Sequence, residues 1–145
     1  MADLEPLIKY RKHGVDEKRR FLAQLYREAE QVERQKDALT KQMAREIELA
    51  KEMGSTEAQA FLNKYLEGAR RKIKALEGSL KKMDVRIAAA QEDMRAVFAE
   101  MKKVEIIQRG REERAAAEQK KKDDQELDEV ALDAYRRRLE EGTNQ

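Results

Sequence analysis

The chain has no cysteine, no tryptophan and a single proline. Without cysteine, neither a disulfide framework nor a thiolate metal site can be built. Aromatic residues make up only 5% of the 145 positions, three Phe and four Tyr, too few for a compact globule of this size to close around. The proline, Pro6, stands near the start, where the first turn of a helix tolerates it because its missing N–H would be unbonded anyway. No proline interrupts the chain after Pro6, so strands are a poor reading. No apolar run approaches the roughly 20 residues that span a bilayer. The opening residues Met1-Ala2-Asp3-Leu4-Glu5-Pro6 lack the basic flank and apolar stretch of a signal peptide, so a cytoplasmic location is expected.

What is present is charge: 43% of residues, 32 basic against 30 acidic, a formal net of +2. That balance does not demand nucleic acid as a partner. Ala, Glu, Lys, Arg, Leu and Gln dominate, the composition of long helices and coiled coils. In the second half, alternating steps of four and three residues visit Leu62, Leu66, Ala69, Ile73, Leu76, Leu80, Met83, Ile87, Ala90, Met94, Val97, Met101 and Val104, every one apolar. A mean spacing of 3.5 implies a left-handed supercoil with a partner helix, because a straight helix would drift off the seam. The first half keeps the rhythm at Leu4, Ile8, Arg11, Val15, Lys18, Leu22, Leu25, Ala29, Val32, Lys36, Leu39, Met43, Glu46, Ala50 and Met53, with four charged positions. Ile47 is expected to substitute for Glu46 at the seam. Long Lys and Arg stems can lie along apolar neighbours with their heads in water.

Between the halves stands Met53-Gly54-Ser55-Thr56. Gly54 suits the left-handed conformation that ends a helix, and Thr56 with Gln59 fits a capping box. The two seams mirror each other about position 56, pairing Ala50 with Leu62, Leu25 with Ile87, Leu22 with Ala90 and Ile8 with Val104. Heptad phase and turn chemistry therefore predict one fold. It is all-α, a long two-helix antiparallel coiled-coil hairpin with an extended C-terminal helix: one domain over 1–145, helix 1 about 3–53, turn 54–56, helix 2 about 57–141. Residues 109–141 project beyond the hairpin. Residues 108–126 carry six charges of each sign and no core stripe, the pattern of an isolated charged helix or of partial disorder. After them Leu127, Ala131, Tyr135 and Leu139 form an i, i+4 stripe that nothing in the chain covers.

Chemistry is hard to place on such a frame. Catalysis needs preorganised groups shielded from water, and a two-helix hairpin encloses none, so no catalytic residue, cofactor or metal is expected. His13 is the one histidine and reads as a solvated helix residue, since metal sites need several ligands. Gly54-Ser55-Thr56 lacks the spacing and preceding strand of a phosphate loop. Residues 70–86 are basic, with Arg70, Arg71, Lys72, Lys74, Lys81, Lys82 and Arg86 against Glu77 and Asp84. With no interleaved aromatics they read as a coiled-coil flank facing Glu28, Glu30, Glu33 and Asp37 of the other helix, and not as a nucleic-acid footprint. The Met83, Met94 and Met101 positions share the seam and read as core. Phe61 and Tyr65 sit one position off the seam near the turn. They either shield the tip or meet a partner.

The length, the segment Val15-Asp16-Glu17-Lys18-Arg19-Arg20, the tip Phe61-Leu62-Asn63-Lys64-Tyr65-Leu66 and the ending Glu118-Gln119-Lys120 followed by Gln125-Glu126-Leu127-Asp128-Glu129 resemble the FliJ family. These are the small coiled-coil proteins of the flagellar type III export apparatus, and the YscO group of virulence secretion systems shares the architecture. The resemblance implies a cytoplasmic partner of the export ATPase hexamer, similar to the two-helix coiled coil of the γ subunit of rotary ATP synthases. It would enter the central pore of the hexamer with residues near 1–25 and from about 90 onward. The ATPase contacts it implies are Leu127, Ala131, Tyr135 and Leu139. It also implies that Phe61, Tyr65 and Leu66 meet the export gate protein FlhA, and that export chaperones are further partners. The free chain is then expected to be a monomer that inserts in no membrane, with peripheral association through the export apparatus open to it. The alternative, a structural adaptor oligomerising through the C-terminal stripe, is expected to be dimeric or larger.

Overall fold

The computed structural model describes residues 3–143. Its two helices, α1 (Glu5–Met53) and α2 (Thr56–Thr143), pack antiparallel as a hairpin. Helix 1 starts two residues later than its periodicity suggests because Asp3 is spent as a cap: its Oδ1 accepts the Glu5 N–H at 3.1 Å, and the first helical bond runs from Ile8 N–H to the Leu4 carbonyl at 2.9 Å. Free N–H groups at a helix start need such acceptors. The charged stretch 108–126, whose pattern also suits disorder, is helical throughout. Its i, i+4 contacts include Gln119 Nε2 to Asp123 Oδ1 at 3.0 Å. Each such pair adds a few tenths of a kcal/mol, and Thr143 ties off the last turn by donating to the Leu139 and Glu140 carbonyls at 2.9 and 3.0 Å.

The turn is two residues long. Gly54 has φ +61°, and its N–H donates to the Ala50 carbonyl at 3.1 Å, the single closing bond of a left-handed C-cap. The N-cap of α2 is Ser55 and not Thr56, which corrects the expected capping box. Ser55 Oγ accepts the Ala58 N–H at 3.0 Å, and the Ser55 carbonyl accepts the Gln59 N–H at 3.2 Å. The Gln59 side chain points down the helix instead of back, donating to Asn63 Oδ1 at 3.2 Å. One residue of phase separates the two readings, and Ser and Thr cap equally well by composition alone.

The chain divides into two compact units. In the unit Arg11–Ala99, Leu22, Leu25 and Ala90 form the buried centre, with Ile87 and Met94 packed against it. The mirrored heptads thus bring these residues of both helices into one cluster. Of the seam residues in this unit, only Met53, the last before the turn, is exposed. The charged seam positions Arg11, Lys18, Lys36 and Glu46 are all half-buried, and Ile47 shares its place with Glu46 instead of replacing it. Lys36 Nζ reaches Glu77 Oε1 across the interface at 3.5 Å. Tyr26 adds a cross-helix bond, its hydroxyl accepting from Gln91 Nε2 at 2.7 Å.

The other unit joins the start of the chain, to Tyr10, with α2 from Glu100 onward. Ile8 and Met101 are buried here and Leu4 and Val104 half-buried. Gln108, the next heptad position, clasps the start of α1: its Oε1 accepts the Leu4 N–H at 3.4 Å and its Nε2 donates to Asp3 Oδ1 at 3.4 Å. Beyond Arg111 every described residue of α2 is exposed.

The acidic residues of α1 do not serve the basic run of α2 as expected. Glu30 pairs with Arg34 on its own helix at 2.7 Å, and Glu28 accepts from Gln24 at 3.4 Å. The Lys36–Glu77 pair has the opposite sense, a cation on α1 and a carboxylate on α2. Residues three and four apart on one helix are nearer than flanking positions across a supercoil, and side chains this exposed settle for the nearest partner.

Candidate functional site

Two surfaces carry apolar groups that the hairpin leaves open. The first lies at the turn. The bend at Gly54 separates the helix ends enough to leave a groove of about 680 Å³, lined among others by Leu49, Met53, Phe61 and Tyr65, with the carboxylates Glu46 and Glu57 beside it. Phe61 is 82% exposed, the most open large apolar side chain of the described residues. Tyr65 is different: it is half-buried, and its hydroxyl oxygen is shut from water with no hydrogen-bond partner. A buried hydroxyl left unpaired costs about 1–3 kcal/mol. Leu66 is only 8% exposed and belongs to the seam. Of the three residues expected at the tip, Phe61 and Tyr65 line the groove and Leu66 does not. Leu49 and Met53, 51% and 66% exposed, join this surface without any signal in the sequence that marks them for it. Their positions late in α1 face Phe61 only once the turn has folded.

The second surface is the tail of α2. Leu127, Tyr135 and Leu139 are 67%, 61% and 53% exposed, and Ala131 is open too. Val130 and Leu132, absent from the i, i+4 stripe, are equally uncovered. The apolar surface is therefore broader than one stripe, flanked by Asp123, Asp124, Glu126, Asp128, Glu129 and Asp133 on one side in sequence and Arg136, Arg137 and Arg138 on the other. A helix whose apolar groups are all solvated holds its shape by propensity and local pairs alone.

Neither surface assembles catalytic groups. His13 Nε2 lies 3.1 Å from Glu17 Oε1 one turn away, an exposed local pair. Among the described residues no group of three or more His, Cys, Asp or Glu could hold a metal ion, and no helix is long and apolar enough to cross a membrane. What both surfaces offer is shape, apolar area and charge for another macromolecule.

Comparison with known proteins agrees with that frame. Residues 1–140 match the family model described as Flagellar FliJ protein. No curated protein and no solved structure gives a significant match.

Proposed function

The chain belongs to the FliJ family, and from that premise we propose that it acts as the stalk of the flagellar export ATPase and couples that hexamer to the export gate. The family is a non-catalytic structural component of flagellar type III export. The observation that carries the finer reading is the tail of α2, helical to Thr143 yet with every apolar residue from Leu127 to Leu139 solvated. A pore lining would cover that surface, and Leu127, Ala131, Tyr135 and Leu139 are the contacts we assign to the ATPase. The groove at the turn, lined by Phe61 and Tyr65 among others, is assigned to the gate protein FlhA. Leu66, a buried seam residue next to Tyr65 in the chain, is the third residue of that assignment. Export chaperones are further candidate partners, and the free chain is monomeric in this reading.

The test is ATP turnover of the purified export ATPase titrated with the full chain. Stimulation or enhanced ring formation, saturating near one chain per six ATPase subunits and lost on deleting residues 127–145, supports the stalk. No effect at any ratio with helicity intact, together with a dimer or larger species by sedimentation, favours the adaptor.

At the tip, Phe61→Ala isolates binding from folding, because the ring is almost wholly solvated and its loss leaves the seam untouched. Helix content and melting should stay within about 0.5 kcal/mol of the parent, as for most surface changes. Affinity for the gate protein, read by titration calorimetry, should fall roughly tenfold or more, the loss for an aromatic anchor. Unchanged affinity would remove the tip from the gate contact.

A further inference from the structure

The basic run of α2 has no role in the stalk reading, and the structure gives it an orientation that composition alone does not. Lys64, Arg71, Gly78 and Val85 are spaced by sevens and lie midway between seam positions, on the side of α2 turned away from α1. The columns beside them hold Glu67, Lys74, Lys81 and Ala88, and Gly68, Ala75, Lys82 and Ala89. This outward face therefore carries the cations Lys64, Arg71, Lys74, Lys81 and Lys82 against the one carboxylate Glu67. The acids that temper the run, Glu77 and Asp84, sit on a flank beside α1, and Glu77 is already paired with Lys36.

The cations of this face are solvated and unpaired. All five are exposed, and no carboxylate lies within ion-pair distance of them among the described residues. Arg71 makes only a long contact, Nε to the Glu67 carbonyl at 3.5 Å. Further along, over residues 92–105, α2 pairs some of its charges locally, as in Glu92–Arg95 and in Lys103–Glu100 at 3.1 Å. Over about five helical turns the outward face of this stretch presents five solvated cations against one carboxylate.

We propose that the outward face of α2 over residues 64–89 adsorbs peripherally to an anionic lipid bilayer. The chemistry of the face selects this partner over an acidic protein. A specific protein interface has an apolar or aromatic centre and is depleted in Lys, whereas Val85 is the one large apolar side chain here and the other non-charged positions are Gly or Ala. A β-carbon added at Gly68 or Gly78 would meet nothing within 4 Å, so those glycines serve no packing inside the chain. Juxtamembrane cations gain from the negative surface potential one by one, with no need for a fitted pocket. The face bears no aromatic or Leu side chain to bury in the bilayer, so attachment is electrostatic and sensitive to salt. Nucleic acid is disfavoured because the face has no aromatic platform on which bases could stack.

The experiment is co-sedimentation of the full chain with vesicles of phosphatidylcholine alone or with roughly 40% phosphatidylglycerol, at about 50 mM and about 500 mM salt. Binding is expected to the anionic vesicles at low salt only. The variant Arg71→Glu, Lys74→Glu, Lys81→Glu, Lys82→Glu should keep parental helicity, since all four positions are exposed, and lose on the order of a hundredfold or more in partition. Equal binding to neutral vesicles, salt-insensitive binding, or a folded charge-reversed variant that still sediments overturns the proposal. So does failure to bind anionic vesicles while an acidic component of the export apparatus is bound through the same four residues, or equally tight binding to a random-sequence DNA duplex.

Discussion

Leu25→Asp should unfold much of the hairpin. Leu25 is 1% exposed and packs with Leu22, Ala90, Ile87 and Met94 at the centre of its unit. Truncating a buried leucine costs about 2–5 kcal/mol, and a carboxyl in its place must either lose its hydration or give up its charge. A total loss of about 4 kcal/mol or more is comparable with the whole stability of a typical domain, about 5–15 kcal/mol. Both helices should lose signal, because a helix of alternating apolar and charged residues leans on its partner more than on propensity. The control is Ala23→Asp, two residues away on the exposed side, expected to stay within about 1 kcal/mol of the parent. Thermal melts followed by far-ultraviolet circular dichroism separate the two. A Leu25→Asp variant melting as cooperatively and as high as the control would mean that the mirrored seam is not what holds the helices together.

On the stalk reading, removing apolar area from the α2 tail should weaken ATPase stimulation without touching the fold. In Leu127→Gln with Leu139→Gln, helix propensity and net charge are nearly preserved, so only solvent-exposed apolar surface is lost. Full burial of a leucine is worth about 1.5–3 kcal/mol, and each 1.4 kcal/mol is tenfold in binding. The chain concentration for half-maximal stimulation should therefore rise on the order of a hundredfold. The melting curve should overlay the parent, since both residues are more than half exposed. Stimulation by the double variant at the parental concentration would take the ATPase contact away from the tail and leave its exposed surface to self-association.

The seam is the most legible part of the molecule. Steps of four and three residues pick out Leu22, Leu25, Ala90 and Ile87 because burial on a supercoil follows the heptad whatever the intervening charges do. The glycine turn is equally plain, since few residues accept the φ of Gly54. Three features are not readable. The cap falls on Ser55 because neighbouring hydroxyls compete for the same role and only geometry decides. The pairing of Glu30 with Arg34 instead of the α2 cations is a contest between exposed partners separated by little energy. The groove at the turn joins residues from both helices, Leu49 and Met53 with Phe61 and Tyr65, and no periodicity within either helix announces a surface that the fold creates between them. The tail stripe is visible as apolar residues without a mate. That Val130 and Leu132 widen it emerges only once the whole segment is seen to be solvated.

The four charged seam positions, Arg11, Lys18, Lys36 and Glu46, all belong to α1, whereas every seam position of α2 from Leu62 to Val104 is apolar. By apolar complementarity alone, the preferred mate of one α2 would be the α2 of another molecule. A connection of only Gly54 and Ser55 gives α1 the advantage, because a tether this short holds it at an effective concentration in the millimolar range or above, beyond what free copies in dilute solution reach. Fidelity of pairing is thus entrusted to the covalent link more than to the match of side chains. The mixed-charge α1, an indifferent partner in any other chain's assembly, becomes the right one for its own.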